Sequence, residues 1–456
     1  MSFDLIPEPQ SVTLNGEAAD SDDAGAPVPV ALPLVGRISE DRDIDDIAGV
    51  FPTQLADDIE AATGLRWDIA SDVMVAGLPA PNAATAHPVP PHASCWKSFI
   101  TLRLDPSSLE PQEYRLTIAR SGIDVVGGDT EGVRNGVQTL RQIIRQCAPA
   151  LPRLVIADKP AYKVRGYYLD ATRGRVPTLD WLKTWADRLC LYKYNQLQLY
   201  IEHTFMFDDL SETWRGTSPL KPADIIAFDE YCARLGIELV PSVSTFGHQY
   251  MAMRTCELRH LGEFPEDADR QYGFVERQRH HTLNITEPES LAFSFKLIDA
   301  YMQLFRTRKF NICGDETFDL GRGRSKPEAE RRGVAAMYAD FVSQLCRHLS
   351  ERGREPMFWG DIAVEMPQIL GLLPDNVTLL NWLYAPGIGE DKVRLVAQAG
   401  APQYVCSASE ALPPLLGGMV LECAAAAPRR LVEQHLPTRA LRREVRCGRV
   451  PGDRLG

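Results

Sequence analysis

FNICGDETFDLGRG, residues 310–323, sets an apolar run against a charged exit. The run ends in Gly314, two adjacent carboxylates follow (Asp315 and Glu316), and a glycine-rich segment comes next. Two acids side by side repel each other, and a solvated loop is the plain explanation of such a pair. The pattern of the surrounding chain decides between a loop and a site.

From about residue 164 a rhythm of strand, loop and helix repeats around this stretch. VRGYYLD (164–170), QLQLYI (196–201), IELVPSV (237–243), KFNICG (309–314), PMFWGD (356–361), VTLLNWL (377–383) and PQYVCSA (402–408) are short, nearly continuous apolar runs. Helical patterns over 178–195, 222–236, 290–305 and 327–353 separate most of them. Runs of this kind mark parallel strands buried on both faces. A TIM-type (β/α)8 barrel fits the series best, with a doubly wound sheet as the second choice. No GxGxxG follows a strand, which counts against a dinucleotide fold.

In a barrel the chemistry collects at the C-terminal ends of the strands. Those ends carry Asp170 with Arg173, Glu202 with His203, Gly247 with His248, Asp315 with Glu316, Trp359 with Asp361, and Trp382 with Tyr384; Tyr404 comes from the seventh strand. Acids, histidines and aromatics around one mouth suit a carbohydrate. Sugar rings stack their apolar C–H faces on aromatic rings, while carboxylates and arginine bind the hydroxyls. His280 and His281 lack metal-ligand spacing and are read as loop residues.

Residues 1–158 read as a smaller α/β accessory domain ahead of a catalytic barrel over 159–456. SFITLRLD (98–105) and EYRLTIARSGIDVVGGD (113–129) alternate as strands do, with SGI as a hairpin turn. In 130–147, Val133, Val137, Leu140, Ile143 and Ile144 recur at helical spacing, with Thr130 as the expected N-cap. Segment 79–94, rich in Ala, Pro and His, reads as a loop, and 148–163, with three prolines, reads as a linker.

At 456 residues and a net charge of −12, the chain has the size for two or three domains and no general affinity for nucleic acid or anionic membranes. The N-terminus MSFDLIPEPQ lacks the basic and apolar regions of a secretory signal, and no window holds 18 uninterrupted apolar residues. Ten cysteines without a CxxC predict reduced thiols in a cytoplasmic protein, with neither a zinc site nor a disulfide framework. HExxH and GxxxxGK[ST] are also missing, so neither metal nor cofactor is expected.

The constellation resembles glycoside hydrolase family 20, the β-N-acetylhexosaminidases. The family's fourth-strand signature, His-x-Gly-Gly/Ala-Asp-Glu, is matched by residues 311–316, NICGDE. VRGYYLDATR is similar to the family's first strand, LYKYNQLQLYI to its second and GIELVPSVSTFGHQ to its third. Residues 113–144 are similar to its accessory domain, and the resemblance covers roughly residues 110–405. It implies a hydrolase that removes a terminal β-linked N-acetylhexosamine with retention, the nucleophile being the substrate's own acetamido oxygen. Matched residue by residue, Glu316 is the general acid/base and Asp315 the partner of the acetamido N–H. Arg173 would hold sugar hydroxyls and His248 line the site, with Trp359 and Trp382 as walls of the acetamido pocket. Glu202, His203 and Tyr404 complete the expected set, although IEHTF departs from the family's TDD-type exit. The implied substrate is a small carbohydrate or glycoconjugate; the choice between glucosamine and galactosamine derivatives and the oligomeric state stay open.

Three departures qualify the resemblance. Asn311 stands where the family has His, and Cys313 stands where it has Gly and is expected to narrow the pocket or shift the backbone. From about residue 410 the chain is atypical: GMVLECA (418–424) is a weak eighth strand, no Trp follows Trp382, and 428–456 carries eight arginines. A truncated barrel with open sheet edges, an altered reading frame and a basic tail are the competing expectations. The alternative function is a catalytically impaired carbohydrate-binding relative.

Overall fold

The computed structural model describes residues 3–14, 28–47, 49–70, 98–384, 390–408 and the backbone of a strand at 418–423. Contacts divide the chain into two compact units. One is Met1–Lys163 with Asp187–Lys193 and Arg234–Gly236; the other is Val164–Ala186, Tyr194–Ala233 and Ile237–Gly456.

The first unit is a seven-stranded mixed sheet. Tyr114–Ala119 and Gly122–Gly127 form the expected antiparallel hairpin. Helix Thr130–Cys147 packs Val133, Val137, Leu140, Ile143 and Ile144 into the unit's core. Its N-cap is Asp129 rather than Thr130. The Asp129 carboxylate accepts from the Gly132 amide at 2.7 Å, whereas the Thr130 hydroxyl accepts from the Asp45 amide. The proline-rich 148–163 is not wholly a linker, because Leu154–Asp158 pairs with Tyr114–Ala119 and with Ser11–Leu14. The three prolines flank that strand and so do not interrupt its ladder. Segment 79–94 lies outside the described residues.

The second unit is a closed eight-stranded barrel. Its strands, in order, are Arg165–Asp170, Gln196–Ile201, Glu238–Val243, Lys309–Asn311, Glu355–Trp359, Thr378–Trp382, Gln403–Ala408 and Gly418–Cys423. The first seven pair in parallel, as their apolar runs require. Helix Val334–Glu351 follows the fourth strand, and Gly333, at φ +83°, breaks it from Lys326–Arg332 in what reads as one helix by sequence.

The weak eighth strand closes the barrel, so the open edges expected of a truncated barrel are absent from the described sheet. It runs antiparallel to both neighbours, which departs from a strict (β/α)8 barrel. Only residues 409–417 separate it from the seventh strand, fewer than the dozen or so that a parallel crossover needs. Residues 424–456, with the arginine-rich segment, lie outside the described residues. Among the described residues no helix is long and apolar enough to cross a membrane.

Candidate active site

The acidic pair leaves the fourth strand on a strained turn. Cys313, Gly314 and Glu316 have φ of +61°, +77° and +47°, and His248 opposite them has +53°. A non-glycine residue in this region costs about 1–3 kcal/mol and persists only where the surroundings fix it. Here they do. The Asn311 side chain accepts from the Cys313 amide at 2.9 Å, and Tyr338 Oη donates to the Gly314 carbonyl at 2.8 Å. The Glu316 amide donates to Asp361 Oδ2 at 3.1 Å. Gly247 is required for a different reason, since a Cβ there would lie 2.6 Å from the Asp315 carbonyl oxygen.

The Cys313 side chain neither narrows the mouth nor reacts with it. It is fully buried in the barrel core with Tyr168 and Trp359, and its Sγ lies 3.3 Å from Ser242 Oγ. Burial and the charge of Asp315 push its thiol well above the usual range. Asn311, in place of the family's His, is also buried and donates to Gln198 Oε1 at 3.1 Å.

His248 bridges the two acids. Its Nε2 lies 3.4 Å from Asp315 Oδ2 and 3.2 Å from Glu316 Oε2, aimed between them without hydrogen-bond geometry to either. Burial opposes its protonation, but the contacts with Asp315 and Glu316, reinforced by the charge of Glu202, raise its pKa to about 10. An imidazolium therefore holds the pair at neutral pH. The three ligand atoms lie within 4.8 Å of one another, room for one cation, yet the ion pair already accounts for the grouping. Glu202 and His203 share a narrow pocket with His248. Burial would raise the Glu202 pKa, but contact with His203 and the charges of Arg173 and His248 outweigh it and lower the pKa.

Arg173 is positioned by its own strand end. Asp170 accepts from its amide at 2.9 Å and from its Nε at 2.5 Å, and the guanidinium lies 5.2 Å from the Tyr200 ring. Nη1 donates to Gln278 Oε1 at 3.1 Å. Trp382 stacks on Tyr384 at 4.9 Å between ring centres. Although Tyr384 is 40% exposed, desolvation raises its pKa, Cys406, Asp315 and Glu316 raise it further, and Arg173 opposes them.

Two of the expected substrate-binding residues, Trp359 and Tyr404, are buried. Trp359 is 3% exposed and stands edge-on to Tyr168 at 4.9 Å, as part of the barrel core. Tyr404 is buried near the start of its strand and acts electrostatically on Lys309 at the N-terminal end of the barrel. Side chains early in a barrel strand fill its lower layers, and Tyr404 packs in one buried cluster with Cys313 and Trp359. Asp361 is the residue whose importance the sequence reading missed. Its Oδ1 is buried without a hydrogen-bond partner, and burial, then the charge of Asp315, push its pKa well above the usual range. Its place two residues after Trp359, at a strand end, was the available signal.

Residues 162–412 match the glycosyl hydrolase family 20 catalytic-domain model, and residues 46–159 match that family's domain 2. The chain is 30% identical over 286 residues to a beta-hexosaminidase of Akkermansia muciniphila, covering 55% of this chain and 56% of that protein. It is 26% identical over 280 residues to the lacto-N-biosidase of Bifidobacterium bifidum, covering 58% of this chain and 24% of that protein. The chain thus spans about half, or less, of the length of these relatives. In fold it is similar to the Streptomyces plicatus N-acetyl-beta-hexosaminidase, with a TM-score of 0.62 at 19% identity, covering 88% of this chain and 73% of that one. It is also similar to the Flavobacterium johnsoniae chitobiase, with a TM-score of 0.66 at 17% identity, covering 89% and 59%.

Proposed function

The chain belongs to glycosyl hydrolase family 20, and on that premise we propose that it hydrolyses terminal β-linked N-acetylhexosaminides by substrate-assisted retention. The observation that carries this reading is the fixed turn at 313–316, which presents two adjacent carboxylates to one imidazolium. Asp315 accepts the substrate's acetamido N–H, which orients the carbonyl oxygen for attack on C1. Glu316 protonates the departing glycosidic oxygen as the C1–O bond breaks, leaving an oxazolinium ion whose positive charge Asp315 balances. Water then adds at C1 while Glu316 takes its proton, and the acetamido group is restored.

Arg173 binds sugar hydroxyls in this scheme. Nη2 makes no hydrogen bond among the described residues and is available to substrate. Trp382 supplies a wall and Trp359 the floor of the acetamido pocket. Glu202 and His203 support His248 from behind, and Tyr404 is left out of the site. A carbohydrate or glycoconjugate is the partner, with no role for nucleic acid, membrane or metal. Seven free cysteines among the described residues support a reducing, cytoplasmic setting.

The test is release of chromophore from a chromogenic β-N-acetylglucosaminide and its galactosamine epimer. Glu316→Gln should reduce that release by about 10²–10⁴-fold, the usual contribution of general acid–base catalysis. Hydrolysis insensitive to this change would overturn the assignment.

A further inference from the structure

The loop after the third strand carries a cation that the chemistry above does not use. Three hydrogen bonds clamp this loop. Gln278 accepts from Arg173 Nη1, and Asp319 holds both His280 Nδ1, at 3.0 Å, and the His281 amide, at 2.8 Å. Just ahead of these clamps, the short helix Phe274–Arg277 leaves Phe274 61% and Val275 71% exposed.

The Arg277 guanidinium lies between two rings, 5.3 Å from Phe274 and 5.1 Å from Tyr250. The nearby carboxylates are already engaged: Glu276 pairs with Arg270 at 2.5 Å and Asp269 with Arg259 at 3.1 Å. Among the described residues Arg277 has no ion-pair partner. Stacking fixes the plane of a guanidinium and leaves its N–H edge free to make a forked, charge-assisted contact with an anion.

Its neighbours lead to the mouth. Tyr250, one of the rings that hold Arg277, follows His248 by two residues, and His248 touches Glu316. Gln278, the next residue after Arg277, bonds Arg173. A chain with a net charge of −12 repels anions at long range, so an acidic glycan needs a local contact of this kind.

We propose that Arg277 binds an anionic group, a carboxylate or a sulfate ester, on the sugar next to the cleaved bond, and so makes acidic glycans preferred substrates. This inference rests on the glycosidase reading, and its test separates the two. Calorimetry on the Glu316→Gln protein compares three disaccharides: N-acetylglucosaminyl-glucuronate, the same compound with its carboxylate converted to a carboxamide, and a neutral disaccharide sulfated on its second sugar. Either anion should bind about five- to tenfold more tightly than the carboxamide, a contact to a charged group discounted for partial exposure. The advantage should shrink in 0.5 M salt, where the screening length is about half that at physiological strength. Adding Arg277→Gln should abolish it, and the carboxylate and sulfate arms identify the anion.

Equal affinities for all three compounds overturn the proposal, as does a preference that survives Arg277→Gln. With Glu316 intact, Arg277→Gln should keep its hydrolysis of the simple chromogenic substrate, which shows that the fold is unharmed. If that hydrolysis is lost, Arg277→Lys replaces it, and a preference undiminished by loss of the planar fork overturns the proposal. If the unaltered chain hydrolyses no N-acetylhexosaminide, the glycosidase reading fails while the affinities still decide this one.

Discussion

At the N-terminal end of the barrel, the Glu238 carboxylate accepts from Lys309 Nζ at 2.6 Å, Gln196 Nε2 at 2.9 Å and Thr307 Oγ1 at 2.5 Å. At the opposite end, His248 Nε2 and Asp361 Oδ1 are buried without a hydrogen bond, and four residues hold positive φ. One end meets its carboxylate with three hydrogen bonds, and the other holds its ion pair without one among the described residues. The difference matches the usual division of a barrel, in which the bottom face serves stability and the top face chemistry. It also separates activity from stability by position, which substitutions can test.

The largest expected effect lies at the mouth. Asp315→Asn should lower kcat/KM on N-acetylhexosaminides by about 10²–10³-fold, the scale of losing one preorganised electrostatic contact. The melting temperature should change little, because the repulsion between the two acids and the contact of Asp315 with His248 are lost together. A large loss of stability without a loss of kcat/KM would erase the contrast between the ends. Glu238→Ala should do the reverse. It leaves Lys309 without its carboxylate, and on the order of 2 kcal/mol of stability should go, while kcat stays within twofold. Thermal unfolding and steady-state kinetics on both variants read the two outcomes.

The same contrast explains what the sequence could show. Strand ends expose Arg173, His248, Asp315, Glu316 and Trp382 to reading because the barrel rhythm alone says which end of a strand is the mouth. Tyr404 was harder to place, because it comes early in its strand and only the pairing shows its neighbour there, Leu380. The Glu238 cluster was not legible at all. Its members come from three strand starts or their approaches, and nothing local in the sequence says that they meet. The antiparallel eighth strand was equally hidden, since an apolar hexapeptide carries no direction. The left-handed turn at 313–316 was half legible: Gly314 announces it, but Cys313 and Glu316 at positive φ do not.

A smaller effect distinguishes the ends by pH. Glu238 has a lowered pKa; burial opposes this, but Lys309 outweighs it. Its contribution to stability is present at neutral pH and fades as the pH falls below its ordinary value of 4.5. His248 behaves oppositely. Its folded-state pKa is raised from 6.5 to about 10, so its contribution is full below pH 6.5 and fades as the pH climbs towards 10. The melting temperature should therefore fall by a few degrees between pH 7 and pH 10, before lysines titrate extensively. In His248→Gln that alkaline fall should flatten while the acid-side loss persists. Parallel curves for the two proteins would show that His248 is not the titrating group.

The smallest effect concerns Asp361, whose pKa burial and then the charge of Asp315 raise well above its ordinary range. In its neutral form Asp361 still accepts the Glu316 amide through Oδ2 and adds no charge beside Asp315. Asparagine has nearly the same shape and no charge, and its carbonyl can keep the bond to that amide. Asp361→Asn should then retain kcat/KM within about threefold. Asp361→Ala removes the acceptor that helps to fix φ at Glu316, and a loss on the order of tenfold is expected, about 1.4 kcal/mol. The two variants divide the possibilities by kinetics alone. If Asp361 were ionised and used its charge, asparagine would fail as badly as alanine. If only its shape and its acceptor matter, asparagine passes, and Asp361 serves the mouth through its bond to the Glu316 amide rather than through a charge.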